Sequence, residues 1–320
     1  SKSDLKKYNP IWRDPLISNY RDTKVITMGP PSSGGLHVIQ MLNILENYDL
    51  NKIGHNSSEY INLLAEVMKY AYADRSKYLG DPDFYEVPIR KIISKEYANE
   101  ISKNIEIGKL RPAKQIHPGK FMRKESHETT HFSVVDKQGN VVSMTYTLNS
   151  TFGSKVVIEG TGILMNNEMD DFSAAPGVPN QFNLLGAEAN EIAPFKRPLS
   201  SMTPTIVLKN DELFFTTGSP GGARIISAVL QSILNIIDFN MNLEDTTLAK
   251  RIHHQWYPDI LEYEFTLDKI IENDLKKIGY KTSSKLPLTS LQTIMFADGI
   301  YYGYGDFRRV DALASGEIYD

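Results

Sequence analysis

Cysteine is absent from the 320 residues. That excludes disulfides, thiolate catalysis and cysteine–zinc sites, though it leaves the compartment open. No apolar run reaches the length of about 18 residues that a membrane-spanning helix needs. The segment from Ser1 to Tyr8 is polar and lysine-rich with no apolar stretch behind it, so no signal peptide is expected within this chain. Neither sign of charge dominates, with 35 Lys and Arg against 39 Asp and Glu. A net charge of −4 is too mild to argue for nucleic acid or an anionic membrane as partner. No internal repeat and no low-complexity tract stands out. What remains is an ordinary globular composition, 41% hydrophobic and 23% charged, in a chain long enough for one large domain or two small ones.

Residues 1–30 read as irregular, rich in Pro, Asn and Asp. A Gly34-Gly35 pair, read as turn chemistry, leads into an apolar-periodic helix over 36–47. Residues 59–73 place Ile61, Leu64, Ala65, Met68 and Tyr72 at helical spacing. A further helix is expected over 94–107, capped by Ser94. Residues 108–128 carry glycines, prolines and many charges, which predicts an exposed linker. It stops at Thr129. The period then switches to two, with strands predicted at 131–135 and 141–148 around a turn at 136–140. More strands are expected at 203–208 and 213–217, helices at 223–239, 243–252 and 267–279, and a closing hairpin at 293–304. Strand pairs and helices in separate runs predict an α+β layered sandwich rather than a parallel βαβ fold.

Four motifs bear on chemistry. In Glu128-Thr129-Thr130-His131, a threonine hydroxyl at a strand start becomes a nucleophile only with a base beside it. Cleavage before Thr129 would supply one, an α-amine with a pKa of roughly 7.7–8.0; equally, two threonines can simply begin a strand. Gly218-Ser219-Pro220-Gly221-Gly222, between a strand and a helix, suits an oxyanion or carboxylate, or only a tight turn. Ser200 and Ser201 offer adjacent hydroxyl donors to a carboxylate. Asn166-Asn167-Glu168-Met169-Asp170-Asp171 could hold an ammonium group; a metal there would lack histidine partners. His253 and His254, read as lying at a helix end beside Trp256, suggest packing.

Taken in order, these motifs resemble γ-glutamyltranspeptidase over about 8–320. The stretches that carry the resemblance are 28–47, 71–84, 129–136, 146–152, 166–172, 197–205, 218–222 and 253–256. The resemblance implies a four-layer αββα sandwich of the N-terminal-nucleophile type, synthesised as a proenzyme that cleaves itself between Glu128 and Thr129. Residues 1–128 would be the C-terminal part of a large subunit and 129–320 the whole small, catalytic subunit, the two forming a heterodimer. Carried over residue by residue, Thr129 matches the nucleophile and Thr147 the threonine that hydrogen-bonds it. Asn149, Glu168 and Asp171 match the residues around the donor's α-amino group, Ser200 and Ser201 those at its α-carboxylate, and Gly221 and Gly222 the oxyanion-hole backbone. The implied substrates are glutathione and other γ-glutamyl compounds, with water, amino acids or peptides as acceptors. No cofactor is implied, and the implied location is periplasmic or secreted.

The family's preceding stretch, with its signal peptide and an arginine that clamps the donor α-carboxylate, has no counterpart here, so the chain by itself is expected to be a poor catalyst with open sheet edges. Phe182, within 176–190, falls in a stretch resembling the family's active-site lid, whose tip is often tyrosine, which predicts weaker closure. Two other readings keep the fold: a non-catalytic fragment or binding module, or an amidase for another N-acyl group. Asn149, Glu168 and Asp171 argue against a glutaryl substrate, which has no α-amino group for them to bind.

Overall fold

A computed structural model of the chain describes residues 1–117, 129–173, 175, 184–287 and 289–317. The strands are β1 (Leu16–Tyr20), β2 (Thr23–Thr27), β3 (Thr130–Val135), β4 (Val141–Tyr146), β5 (Thr205–Lys209), β6 (Glu212–Thr217), β7 (Ile252–His253), β8 (Leu261–Glu264), β9 (Thr282–Lys285), β10 (Gln292–Ala297) and β11 (Ile300–Gly305). The α-helices are α1 (Lys2–Lys7), α2 (Gly34–Leu45), α3 (Leu50–Ile53), α4 (Ser58–Tyr78), α5 (Ile89–Ile92), α6 (Lys95–Ser102), α7 (Arg224–Ile237), α8 (Leu243–Leu248) and α9 (Lys269–Ile278).

A six-stranded antiparallel sheet in the order β1-β2-β5-β6-β10-β11 forms the centre. Val25, Val207 and Phe215 lie side by side across three of its strands and are fully buried against apolar residues of α2, α4 and α7. Each large aliphatic side chain buried this way stabilises the fold by about 1.5–3 kcal/mol. A polar row runs beside it: Thr27 Oγ1 lies 3.1 Å from Thr205 Oγ1, and Thr217 Oγ1 2.8 Å from Thr293 Oγ1. These buried hydroxyls satisfy one another across the strands.

The β3–β4 hairpin packs on this sheet at β5, β6 and β10. Its alternation inverts that of a surface hairpin. His131, Ser133, Ser143 and Thr145 face inward, while Phe132, Val134, Val142, Met144 and Tyr146 are exposed. The inward serines are spent on backbone: Ser133 Oγ donates to Gln292 O at 3.0 Å, and Ser143 Oγ accepts from Thr205 N at 3.2 Å, while His131 Nδ1 and Thr145 Oγ1 pair at 2.7 Å. Helices, the main sheet, the β3–β4 sheet and a small three-stranded sheet in the order β7-β8-β9 thus make up an α+β arrangement among the described residues.

Three expectations change. Residues 1–30 are not irregular throughout: β1 and β2 form a hairpin whose alternation Thr23-Lys24-Val25-Ile26-Thr27 is short and flanked by Pro, Asn and Asp, which masked it. His253 lies on β7, not at a helix end, because the helix α8 stops at Leu248. The described part of the supposed linker, 108–117, is exposed at Gly108, Lys109, Lys114, Gln115 and His117 but anchored between them. Ala113 and Ile116 are buried, Ala113 O accepts from Trp256 Nε1 at 2.9 Å and Ala113 N donates to Asp259 at 2.8 Å. Just before it, the buried ion pair Lys69–Glu66 on α4, 2.7 Å long, takes Arg111 O and Tyr280 Oη as further partners. Residues 118–128, including Glu128, and Phe182 with most of the lid-like stretch, lie outside the described residues.

Candidate active site

Thr129 stands one residue ahead of β3 and is 8% exposed. The hairpin register pairs Thr130 with Tyr146, so Thr147, the next residue along, falls opposite Thr129. Both line a cleft of about 350 Å³ together with Arg75, Asn149, Asp171, Leu184, Leu199, Ser200, Ser201, Met202, Gly222, Ala223 and Ile225. Residues from seven separate stretches of sequence thus line one cleft with this hydroxyl.

One end of the cleft is acidic. Asn149 takes a positive φ of 74°, a region in which asparagine is favoured among non-glycine residues. That backbone lets its N–H donate to Thr147 Oγ1 at 2.8 Å while its side-chain amide donates to Asp171 Oδ1 and to Asn167 O, each at 3.2 Å. Glu168 and Asp171 sit on one short 3-10 turn. Burial holds both carboxyls above their ordinary range, and for Asp171 the neighbouring Glu168 adds to it, while Arg75 and Asn149 pull the other way. Neighbouring carboxyls of this kind disfavour each other's ionised form, and a cation between them would relieve that. Glu168 thus backs Asp171, which is the carboxyl that lines the cleft.

The other end is built from serines. Ser32 and Ser200 form a parallel bridge, Ser200 N donates to Pro31 O at 2.9 Å and Ser33 N to Ser200 O at 2.9 Å. The close approach needs glycine: a Cβ on Gly34 would lie 2.0 Å from Thr203 Oγ1 and 2.5 Å from Met202 O. Gly34 and Gly35 open α2 rather than a turn, so their smallness serves packing. Arg75, which the sequence reading did not single out, enters from α4 and donates through Nη2 to Ser201 Oγ at 3.1 Å. The signal was there to find: Arg75 continues the apolar stripe Ile61, Leu64, Met68, Tyr72 along α4, and a charged residue on a core-facing stripe needs a buried partner.

The glycine turn after β6 closes the third side. Gly221 and Gly222 both have positive φ, 135° and 56°, which frees them to turn the chain into α7. Arg224 N donates back to Gly221 O and Ile225 N to Gly222 O, each at 3.1 Å, and Tyr72 Oη donates to Ala223 O. Gly218, at the base of the turn, lies against the His131 ring, which an added Cβ would meet at 2.1 Å from Cε1. His131 itself is buried, and desolvation lowers its pKa to about 4, so it is neutral. His253 lies outside this cleft, beside Ser227 Oγ at 2.9 Å and Gln255 Oε1 at 2.9 Å, and burial keeps it uncharged.

The cleft therefore offers a hydroxyl between an acidic pole and a pole of neutral donors backed by a guanidinium. That suits a small zwitterion presenting a carbonyl to Thr129. Among the described residues no helix is long and apolar enough to cross a membrane.

Comparison with known proteins follows the same line. The family model described as gamma-glutamyltranspeptidase matches residues 1–316. The glutathione hydrolase proenzyme of Escherichia coli K12 is 50% identical over 317 residues, covering 99% of this chain and 55% of its own length. The glutathione hydrolase proenzyme of Bacillus subtilis 168 is 36% identical, covering 97% of this chain and 54% of its own. The chain thus spans about half the length of the curated relatives it matches. Among solved structures, cephalosporin acylase from Bacillus halodurans superposes with a TM-score of 0.85 at 26% identity, over 100% of this chain and 56% of that one. An acivicin-inhibited γ-glutamyltranspeptidase matches with a TM-score of 0.55 at 48% identity, over 57% of this chain and 99% of that one. The fold is that of the N-terminal-nucleophile hydrolases, and the chain belongs to the γ-glutamyltranspeptidase family.

Proposed function

We propose that this chain carries the catalytic machinery of a γ-glutamyltranspeptidase, or glutathione hydrolase, with Thr129 as nucleophile. The observation that carries the reading is the convergence on one cleft of Thr129, Thr147, Asn149, Asp171, Ser200, Ser201 and Gly222. In this reading the chain is a proenzyme. The Thr129 hydroxyl attacks the Glu128 carbonyl; collapse of the adduct breaks the Glu128–Thr129 C–N bond, which frees the Thr129 α-amine and leaves an ester, and hydrolysis of that ester restores the hydroxyl and separates the two chains. Residues 1–128 and 129–320 then form the two subunits of a heterodimer, together one αββα domain.

The freed amine is the general base, its pKa near working pH. It takes the proton as Thr129 Oγ1 adds to the γ-carbonyl of the donor. Thr147 orients the hydroxyl. The N–H groups of Gly221 and Gly222 receive the oxyanion, a contribution of about 3–4 kcal/mol per donor in other enzymes. The donor's amine leaves with that proton as its C–N bond breaks, and the γ-glutamyl group on Thr129 Oγ1 passes to water or to the amino group of an amino acid or peptide, restoring the hydroxyl. Asn149, Glu168 and Asp171 hold the donor ammonium; Ser200 and Ser201 hold its α-carboxylate. Glutathione and related γ-glutamyl compounds are the substrates, and a periplasmic or secreted location accompanies the family reading. The test is release of the chromophore from a γ-glutamyl anilide by the protein at its natural length, abolished in Thr129→Ala. Equal release by that variant refutes the assignment.

A further inference from the structure

The glycine turn beside Thr129 has few side chains with which to hold itself. Gly218, Gly221 and Gly222 have none, and the last two take positive φ, so the backbone's own preferences leave the turn's place open. Its base is fixed from outside. Gly218 O accepts from Gln292 N at 2.9 Å, and Ser219 Oγ accepts from Ser290 N at 3.0 Å. Both donors sit at or just before the start of β10.

The remaining support comes from the strand that follows Thr129. Side chains two apart on a strand share a face, so His131 enters the protein on the same side as Thr129, and it is 5% exposed. Its ring lies directly on Gly218: a Cβ there would fall 2.1 Å from Cε1 and 2.4 Å from each ring nitrogen. The ring is itself held at both nitrogens. Ser133 Oγ gives its one proton to Gln292 O at 3.0 Å, so at 3.3 Å it accepts from His131 Nε2. Nδ1 of the neutral ring then accepts from Thr145 Oγ1 at 2.7 Å. His131, Ser133, Gln292 and Gly218 thus close a circuit from β3 through β10 to the turn.

We propose that His131 is a positioning residue for catalysis: held by Ser133 and Thr145, its ring sets how far the Gly221 and Gly222 N–H groups stand from the Thr129 hydroxyl. The proposal rests on the γ-glutamyl reading above and adds to it a residue that is not among those lining the cleft. Hydrogen bonds to an oxyanion form only as the reaction proceeds. Addition of Thr129 to the donor and attack of water on the ester both pass through that oxyanion. A displaced turn therefore slows both steps together, which lowers kcat and leaves KM unchanged.

The test is steady-state turnover of a γ-glutamyl anilide by His131→Ala in the protein at its natural length. Turnover is counted per Thr129 that forms the γ-glutamyl ester, by mass after acid quench. The expected result is a kcat per site lower by about tenfold or more with KM unchanged. Fewer active sites with wild-type kcat at each makes His131 merely structural and overturns the proposal. A raised KM at unchanged kcat overturns it too. If His131→Ala does not fold, the same measurement on His131→Gln, which removes the ring and keeps a polar side chain, decides by the same split. A wild-type protein that releases no chromophore refutes the γ-glutamyl reading and this inference with it; wild-type turnover matched per site by the His131 variants refutes this inference alone.

Discussion

Asn149 joins the two halves of the candidate site: its backbone N–H donates to Thr147 Oγ1 at 2.8 Å while its side chain donates to Asp171 Oδ1 at 3.2 Å. The hydroxyl opposite Thr129 and the acidic pole are therefore one hydrogen-bonded unit. In the proposed reading Asp171 meets the donor ammonium rather than the reacting carbonyl, so a disturbance there is expected first in binding.

Asp171→Ala is accordingly expected to raise KM for γ-glutamyl donors. A charged hydrogen bond is worth about 1.5–3 kcal/mol, on the order of 10- to 100-fold in KM, with a smaller change in kcat. Steady-state kinetics on a γ-glutamyl anilide reads both. An unchanged KM with a fallen kcat would place Asp171 in the chemistry instead.

Gly218 and His131 form a second pair whose fit is steric. Because a Cβ at residue 218 would overlap the buried imidazole, Gly218→Ala should cost about 1–3 kcal/mol through overpacking, seen as a lower Tm. His131→Ala in the same protein should recover part of that loss, since the two changes share one contact. Additive destabilisation in the double variant would show that the clash is not the cause.

The same histidine predicts a pH dependence of stability. Its folded pKa, lowered to about 4 by burial, lies below the unfolded value near 6.5. Above about 6.5 both states are neutral and pH has no effect through this group. Between about 6.5 and 4 the unfolded chain binds a proton that the folded one does not, so stability falls as pH falls. Urea unfolding at a series of pH values should show a shallower slope in this window for His131→Gln than for the wild type. Identical slopes would mean that His131 titrates normally when folded.

Lys69 and Glu66 lie buried on α4, 0% and 2% exposed at the side chain. Lys69→Met leaves the carboxylate without its cation, and breaking a buried pair this way costs about 3–5 kcal/mol. Chemical denaturation measures it. A loss under about 1 kcal/mol would mean that Tyr280 and the Arg111 backbone suffice to hold Glu66.

Much of this was legible in the residues. The apolar stripe from Ile61 to Tyr72 and the Ser94 cap, which accepts from Tyr97 N at 3.1 Å, are local signals written in helical period and cap chemistry. Thr129, Thr147, Asn149, Asp171, Ser200, Ser201 and Gly222, all of which line the cleft, were named through the resemblance that their ordered motifs carry. What escaped is long-range. The β1–β2 hairpin is too short for its alternation to outweigh the prolines around it. The stripe on α4 marks Arg75 as needing a buried partner, but that partner, Ser201, lies 126 residues away. Ala113 reads as linker until Trp256 and Asp259 close on it.

The most direct measurement of the account is mass mapping of the protein after brief incubation with a γ-glutamyl anilide and acid quench. The account predicts a chain cut between Glu128 and Thr129, with a γ-glutamyl ester on the new N-terminal Thr129 and none elsewhere. An intact chain that still turns over the donor, or an adduct on any residue other than Thr129, would contradict it.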